Sequence, residues 1–220
     1  KFKAFEQIIA DKQRQNTPRK VLVEVLLAQY EGLKTAAPVT ANINKLRESN
    51  TYTITTAHQP NLFAGPLYTI YKALSAVNIA ARLQQQFPQH NFVPVYWMGT
   101  EDHDFEEINH TQVLGQTVRW HDDAAGGAVG RMDTAGMQQC INDVAVLLGK
   151  RPFADELKTI LNNAYLGNDS FAAATRELLH RLLGHFGLII LDQDDKRLKQ
   201  LFAPQMLQGI LKGAEETRLI

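Results

Sequence analysis

Two kinds of apolar spacing alternate along the chain, and their order predicts its architecture. Residues 52–56 are β-rich and end at Ala57-His58-Gln59-Pro60-Asn61, where Pro60 withdraws a backbone donor and closes a strand. Leu67, Ile70, Leu74, Val77 and Ala81 then recur at spacings of three and four, an apolar stripe on a helix that runs from Gly65-Pro66 to about Phe87. Proline suits the first helical position, where its missing amide would be unpaired anyway. Residues 92–98 are almost unbroken in apolarity, as in a strand buried on both faces of a parallel sheet. Strand, helix and strand make a βαβ unit with a right-handed crossover. Both strands then end at one edge of the sheet, and the loops 58–61 and 99–104 face one another across a crevice of the kind that holds ligands in open α/β sheets. The amino end of the Pro66 helix points there, with free amides suited to a phosphate or carboxylate.

The flanks follow the same logic. Residues 1–15 predict a helix with Phe2, Phe5, Ile9 and Ile8 on one side; Pro18 starts a second, buried through Val21, Leu22, Val25, Leu26 and Tyr30 until Gly32. A third covers residues 42–49, with Ile43 and Leu46 inward. Residues 111–114 and 117–121 flank Gly115-Gln116 as a hairpin that projects from the core as an insertion. Asp122-Asp123 and the glycine-rich run 126–130 follow. That run lacks Gly-x-Gly-x-x-Gly spacing and a Walker lysine, so it reads as a flexible hairpin end rather than a phosphate loop. Asp133 or Thr134 caps a helix to Leu148, and helices follow over 153–165 and 170–186, the second capped by Asp169-Ser170. Residues 187–192 form a third strand, which brings Asp192 to the shared edge if it joins the parallel sheet. Gln193-Asp194-Asp195 equally suits a capped start for a helix over 196–202, and Pro204 opens a last helix through Ile220. Trp97 and Trp120 are read as core aromatics, and His180 and His185 as packing or surface residues. The expected organisation is a helical segment (1–50), a βαβ core (51–110), a hairpin insertion (111–132) and further helices with a core strand (133–220).

Composition narrows the partners. The 220 residues carry 23 basic and 23 acidic side chains, so no global field recruits nucleic acid or an anionic membrane. Aromatic residues are not interleaved with a basic stripe. The single cysteine, Cys140, excludes an intrachain disulfide and a cysteine-rich zinc site, and it fits a reducing cytoplasm. No apolar run approaches the roughly 20 residues of a membrane span, and the first residues lack an apolar signal core. The expectation is a soluble cytoplasmic protein.

AHQPNLFAGPLYTIYKALSA followed by VPVYWMGTEDHDFEEINH resembles the bacillithiol biosynthesis cysteine-adding enzyme family, the cysteine ligases known as BshC. FGLIILDQDDKRLKQLFAP extends the resemblance weakly towards the C-terminus. It implies an α/β fold with a Rossmann-like parallel sheet, and an ATP-grasp-unrelated ligase that joins L-cysteine to the amine of glucosaminyl-malate. ATP or ADP is the candidate nucleotide, the cofactor being otherwise unassigned. Family members commonly show a Gly-Gln-Gln type loop where this chain has Ala57-His58-Gln59. They also run to more than twice this length, with a helical coiled coil that mediates homodimerisation, so the resemblance implies an amino-terminal fragment or a truncated relative.

Amide formation needs an activated carboxyl group, a deprotonated amine and a stabilised oxyanion. His58 is the candidate general base or phosphate contact, since imidazole titrates near neutrality. Gln59 and Asn61 offer neutral donors and acceptors for a carboxylate or sugar hydroxyls. Glu101, Asp102 and Asp104 suit an ammonium group, and His103 could remove its proton. The same cluster could hold a divalent cation, but alternating Asp and His on a loop is a loose metal pattern, and no metal is assigned. Glu106 and Glu107 read as first-turn helix acids. Gly65 opens the helix; Tyr68 and Lys72 share one face of it, where Lys72 could reach a phosphate or simply meet solvent. Asp192 completes the binding candidates. Two other readings stay open. One is a non-catalytic small-molecule-binding or dimer-forming relative; the other is a Rossmann-like nucleotidyltransferase, which lacks the His-x-x-His spacing usual for that role.

Overall fold

The computed structural model describes residues 3–121 and 126–216, with side chains through Lys212. Residues 1–2, 122–125 and 217–220, among them Phe2, Asp122-Asp123 and the expected helix end at Ile220, lie outside the described residues. Three helices, α1 (Lys3–Gln13), α2 (Arg19–Gln29) and α3 (Ala37–Lys45), precede strand β1 (Thr51–His58). Helix α4 (Tyr68–Gln86), strand β2 (Asn91–Met98) and the short helix α5 (Phe105–Ile108) follow. Then come the hairpin β3 (His110–Val113) and β4 (Gln116–Arg119), helices α6 (Met137–Leu148), α7 (Ala154–Leu166) and α8 (Phe171–Leu183), strand β5 (Ile189–Asp192) and helix α9 (Lys196–Glu216).

The apolar 91–98 run becomes the middle strand because most of its length can be buried on both faces. The parallel sheet has the order β1-β2-β5, with Thr51 opposite Asn91 through His58 opposite Met98, and Val95 opposite Ile189 through Met98 opposite Asp192. Alternation along β2 splits the core. Tyr96, Met98 and Ile190 enter a large cluster with α4, α6, α7 and α8, while Val93, Val95, Ile189 and Leu191 pack with α2 and α3. Trp97, expected in the core, is 40% exposed on the second face, and its indole donates to Gln193 Oε1. Trp120 is fully buried and donates Nε1 to Ala135 O at 2.9 Å.

Several boundaries differ from the sequence expectation for identifiable reasons. Helix α4 begins at Tyr68 rather than Pro66, because Pro66 and Leu67 form a turn whose bonds, Thr69 N to Pro66 O and Ile70 N to Leu67 O, span three residues rather than four. Its buried face is Thr69, Ala73, Ala76, Ala80 and Leu83, whereas Leu67 is 67% exposed and Ala81 is exposed. Small side chains let the helix backbone lie close to the sheet, and the bulkier Ile70, Leu74 and Val77 fill the margin. Helix α3 starts at Ala37, with Pro38 in its first turn, so the expected 42–49 helix is shifted five residues at its start; Ile43 and Leu46 are buried as expected. Helix α6 starts at Met137 after Gly136 (φ 79°), because Asp133 and Thr134 close the preceding turn onto Ala135 N and Met137 N instead of capping the helix. Ser170 does cap α8, accepting from Ala173 N at 3.2 Å. Pro204 lies inside a continuous α9 rather than opening a new helix. It removes one backbone bond there, and residues 201–212 are all exposed.

The hairpin turn sits at Leu114-Gly115, one residue earlier than expected. Both residues have positive φ (52° and 80°), as a two-residue hairpin turn requires. The hairpin is a separate sheet, yet it does not simply project, since Val118 and Trp120 are buried in the large cluster. Cys140 packs beneath it with Sγ donating to Arg119 O at 3.4 Å. Burial pushes its thiol up to about 11, which fits packing rather than nucleophilic chemistry.

Candidate functional site

Pairing with β2 continues to the end of β1, so His58 is the last strand residue rather than part of the loop; Gly99 N donates to its carbonyl at 2.9 Å. Around the ring a chain of contacts runs between elements. The Tyr68 hydroxyl at the start of α4 meets Nε2, Gln59 Oε1 lies 3.0 Å from Nδ1, and Gln59 Nε2 donates to Glu107 Oε2 on α5 at 2.6 Å. Lys72 donates Nζ to Ala57 O at 2.6 Å and lies 5.7 Å from the Tyr68 ring centroid, within cation–π range. His58 titrates below the ordinary histidine range. Burial is the main cause; the Gln59 contact raises it, the Lys72 charge lowers it, and the Glu107 charge raises it.

On the other side of the β2 loop a second group forms. Thr100, buried, donates Oγ1 to Asp192 Oδ1, which also accepts from Asp194 N at 2.9 Å. Gln29 of α2 clasps the Asp192 backbone, donating to its carbonyl at 2.8 Å and accepting from its amide at 3.0 Å. Asp194 pairs with Arg131 at 2.5 and 2.9 Å and with Lys199 of α9, and Lys199 reaches Glu101 at 2.6 Å. The Arg131 guanidinium hydrogen-bonded to Asp194 holds that carboxyl down at about 2, with Lys199 assisting against burial. Asp195 Oδ1 takes Arg197 N, so the capped-start reading of 193–195 describes the beginning of α9.

The predicted residues therefore separate. His58, Gln59 and Tyr68 meet directly, with Lys72 beside them. Asp192 and Glu101 belong to the second group. Between the two, Asp102 Oδ1 turns back on its own loop, accepting from His103 N (2.7 Å) and Asp104 N (3.3 Å), and Asp104 caps α5 by accepting from Glu107 N (3.1 Å). His103 is exposed. Asn61, buried, supports the first loop by donating to Gln59 O at 3.2 Å. Gly65 serves the hairpin contact, because a Cβ there would overlap Thr111 Oγ1. The helix-end amides are not free as expected. Thr69 N bonds Pro66 O, and Ile70 N and Tyr71 N bond Leu67 O, at 2.9, 3.1 and 3.3 Å. The glycine run is likewise not a loose hairpin end: Gly130 N donates to Thr100 O at 2.9 Å and Val129 N to Asp102 O at 2.7 Å. A groove of about 350 Å³ opens beside Tyr68 and Lys72 along β1, lined also by Ile54, Thr56, Tyr71 and Ile79.

Sequence reasoning missed Glu107, Arg131, Lys199 and Gln29. For Glu107 a signal existed: Asp104 and Glu107 have capping-box spacing, and a box acid that does not turn back to its cap is free to reach elsewhere. Among the described residues no group of three or more His, Cys, Asp or Glu is placed to hold a metal ion, and no helix is long and apolar enough to cross a membrane.

Comparison with known proteins gives the same architecture a family. The family model for bacillithiol biosynthesis BshC, N-terminal Rossmann-like domain, matches residues 1–220. A Flavobacterium johnsoniae protein named "Putative cysteine ligase BshC" is 43% identical over 210 residues, 94% of this chain and 40% of that protein. Proteins of the same name from Christiangramia forsetii (42% over 194 residues, 87% of this chain and 36% of that protein) and Flavobacterium psychrophilum (41% over 198 residues, 90% and 37%) are also similar. The chain thus spans about two fifths of the length of the curated relatives it matches. With a parallel β1-β2-β5 sheet flanked by helices and the family match running from end to end, the chain belongs to the bacillithiol biosynthesis BshC family, as its N-terminal Rossmann-like domain.

Proposed function

We propose that this chain is the amino-terminal part of a ligase that joins the carboxyl group of L-cysteine to the amine of glucosaminyl-malate in bacillithiol biosynthesis. The observation that carries the reading is a contact across the carboxyl edge of the sheet: Gln59 and Glu107 tie the His58 end of β1 to α5, which follows the β2 loop. In this reading the substrate ammonium passes a proton to the Tyr68 oxygen as the hydroxyl proton moves to His58 Nε2. The freed amine nitrogen then attacks the cysteine carboxyl carbon, and the group that activated this carbon leaves. No residue of this chain is assigned to the activation. No step is assigned to ATP or ADP either: the amides of Thr69, Ile70 and Tyr71 and one hydrogen of Lys72 already have partners. The remaining candidates, Asp102, Asp104 and the exposed His103, lie on the loop that separates the two groups, where the two carboxylates supply negative charge for an amine. The same reading places the reaction in the cytoplasm and the longer protein in a homodimer.

The test uses a full-length relative. Alanine at the position aligned with His58 lowers amide formation by about a hundredfold or more, the usual weight of a general base, with an unchanged melting curve. Undiminished product formation would overturn the reading.

A further inference from the structure

We propose that Glu107 is a positioning residue which, through Gln59, decides which ring nitrogen of His58 is left bare. A carboxylate only accepts hydrogen bonds. At 2.6 Å, Glu107 Oε2 therefore faces the Gln59 amide nitrogen, and Gln59 Oε1 is left facing His58 Nδ1 at 3.0 Å. Oε1 is an acceptor, so Nδ1 carries the proton and Nε2 presents its lone pair to the Tyr68 hydroxyl.

A second neighbour makes the opposite demand. The backbone amide of Gln59 lies 2.9 Å from the same Nδ1 and donates to it, which requires the lone pair there and the proton on Nε2. One nitrogen cannot satisfy both. The charge on Glu107 breaks the tie, because hydrogen bonds to an ionised acceptor outweigh neutral ones. Without that carboxylate the Gln59 side chain is free to turn over, the backbone amide keeps Nδ1, and the ring proton moves to Nε2. The Tyr68 hydroxyl then faces a donor and can no longer pass its proton on.

The loop supports this placement. Asp104 fixes the Glu107 amide at 3.1 Å, while Arg119 takes the neighbouring Glu106 at 3.3 Å. The charged groups that act on His58 are Lys72 from α4 and Glu107 from α5, with opposite effects on its proton affinity. The inference rests on the proposed role of His58 as base, since it supplies the bare nitrogen which that role needs.

The experiment reads the tautomer directly in this 220-residue chain. The protein is labelled with ¹⁵N-histidine, and long-range ¹H–¹⁵N spectra are recorded at pH 8, with His58 assigned by its loss in His58→Ala. The unsubstituted chain shows Nδ1 protonated and Nε2 bare by about tenfold or more, the discrimination expected of a charge-assisted contact. Glu107→Ala makes the Nε2-protonated form the majority, and Glu106→Ala, one residue away on the same helix, leaves the spectrum unchanged. Glu107→Gln, which keeps an acceptor but removes the charge, shifts the ratio towards the Nε2-protonated form, less than Glu107→Ala does, and lowers the His58 titration midpoint. A bare Nδ1 in the unsubstituted chain, or an unaltered tautomer in Glu107→Ala, overturns the proposal. The spectra need no substrate, so they stand or fall separately from the loss of amide formation that tests the reaction.

Discussion

His58 and Asp192 lie at one level of the parallel sheet, each in register with Met98 and on opposite sides of it. Neighbouring strands are 4.7–4.9 Å apart, which sets the two backbones about 10 Å from each other. The imidazole at one end and the carboxylate at the other thus stand at the two ends of that span, with β2 and the start of the Gly99–Asp104 loop between them.

That span makes a prediction for Asp192. Its Oδ1 serves as scaffold, accepting from Thr100 and Asp194 N, and asparagine preserves that oxygen while removing the charge. Asp192→Asn should leave the melting temperature within about 2 °C, as expected for a change of roughly 0.5 kcal/mol. Affinity for glucosaminyl-malate, measured by calorimetry on the full-length relative, should fall about tenfold if this charge meets the amine, a tenfold loss being 1.4 kcal/mol. Unchanged affinity would place the ammonium elsewhere.

Asp194 gives a pH signature. Its folded pKa of about 2 lies below the ordinary 3.8, so its contribution to stability is present above about pH 4 and is lost as pH falls towards 2. Both partner cations are partly exposed, which limits the effect to about 1–2 kcal/mol despite the shielded carboxyl. Urea titrations should show Asp194→Asn less stable at pH 7 and the difference closing by pH 2. A difference that persists at pH 2 would assign the loss to packing.

Two glycines test how the site is braced. A Cβ on Gly130 would lie 2.8 Å from Thr100 O, a backbone atom that cannot swing away. Gly130→Ala should therefore destabilise the chain by about 1–3 kcal/mol, as overpacking does. At Gly65 the obstacle is the Thr111 hydroxyl. Gly65→Ala should be costly alone and largely rescued by Thr111→Ala, a coupling that a double-mutant cycle of melting temperatures reads directly.

The parts of the structure that were readable in advance share one property, local periodicity. The unbroken 92–98 run gave the central strand, and the glycine-to-acid run ending at Asp192 gave the third strand. The α4 stripe was misplaced because apolarity marks large residues, whereas contact with a sheet selects small ones such as Ala73, Ala76 and Ala80. The site contacts had no local signature. Gln59 and Glu107 are 48 residues apart and Arg131 and Asp194 are 63 apart, so only the folded chain pairs them. Where Asp102 and Asp104 looked like ligands, their oxygens close the loop and cap α5, work for which acids near a short helix start are equally suited.

His180 links burial to stability near neutral pH. It lies inside the core edge between α8 and α3, with Nε2 accepting from Ala36 N at 3.0 Å and the Tyr30 ring edge-on at 5.4 Å. Burial, the largest cause, holds its pKa below the ordinary 6.5; a hydrogen bond to the Lys34 backbone works against it, Arg181 adds to the lowering, and Glu177 opposes it. A depressed histidine binds its proton more readily when unfolded, so its share of stability is full above about pH 6.5 and is lost as pH falls through the folded value. His58, also lowered, acts with the same sign. Urea titrations between pH 7.5 and 5 should show stability declining with acidity, by up to about 1.4 kcal/mol per pH unit for each histidine that differs by a full proton. His180→Gln should make that decline shallower, and adding His58→Ala should flatten it further. A slope unaffected by both substitutions would trace the acid sensitivity to other groups.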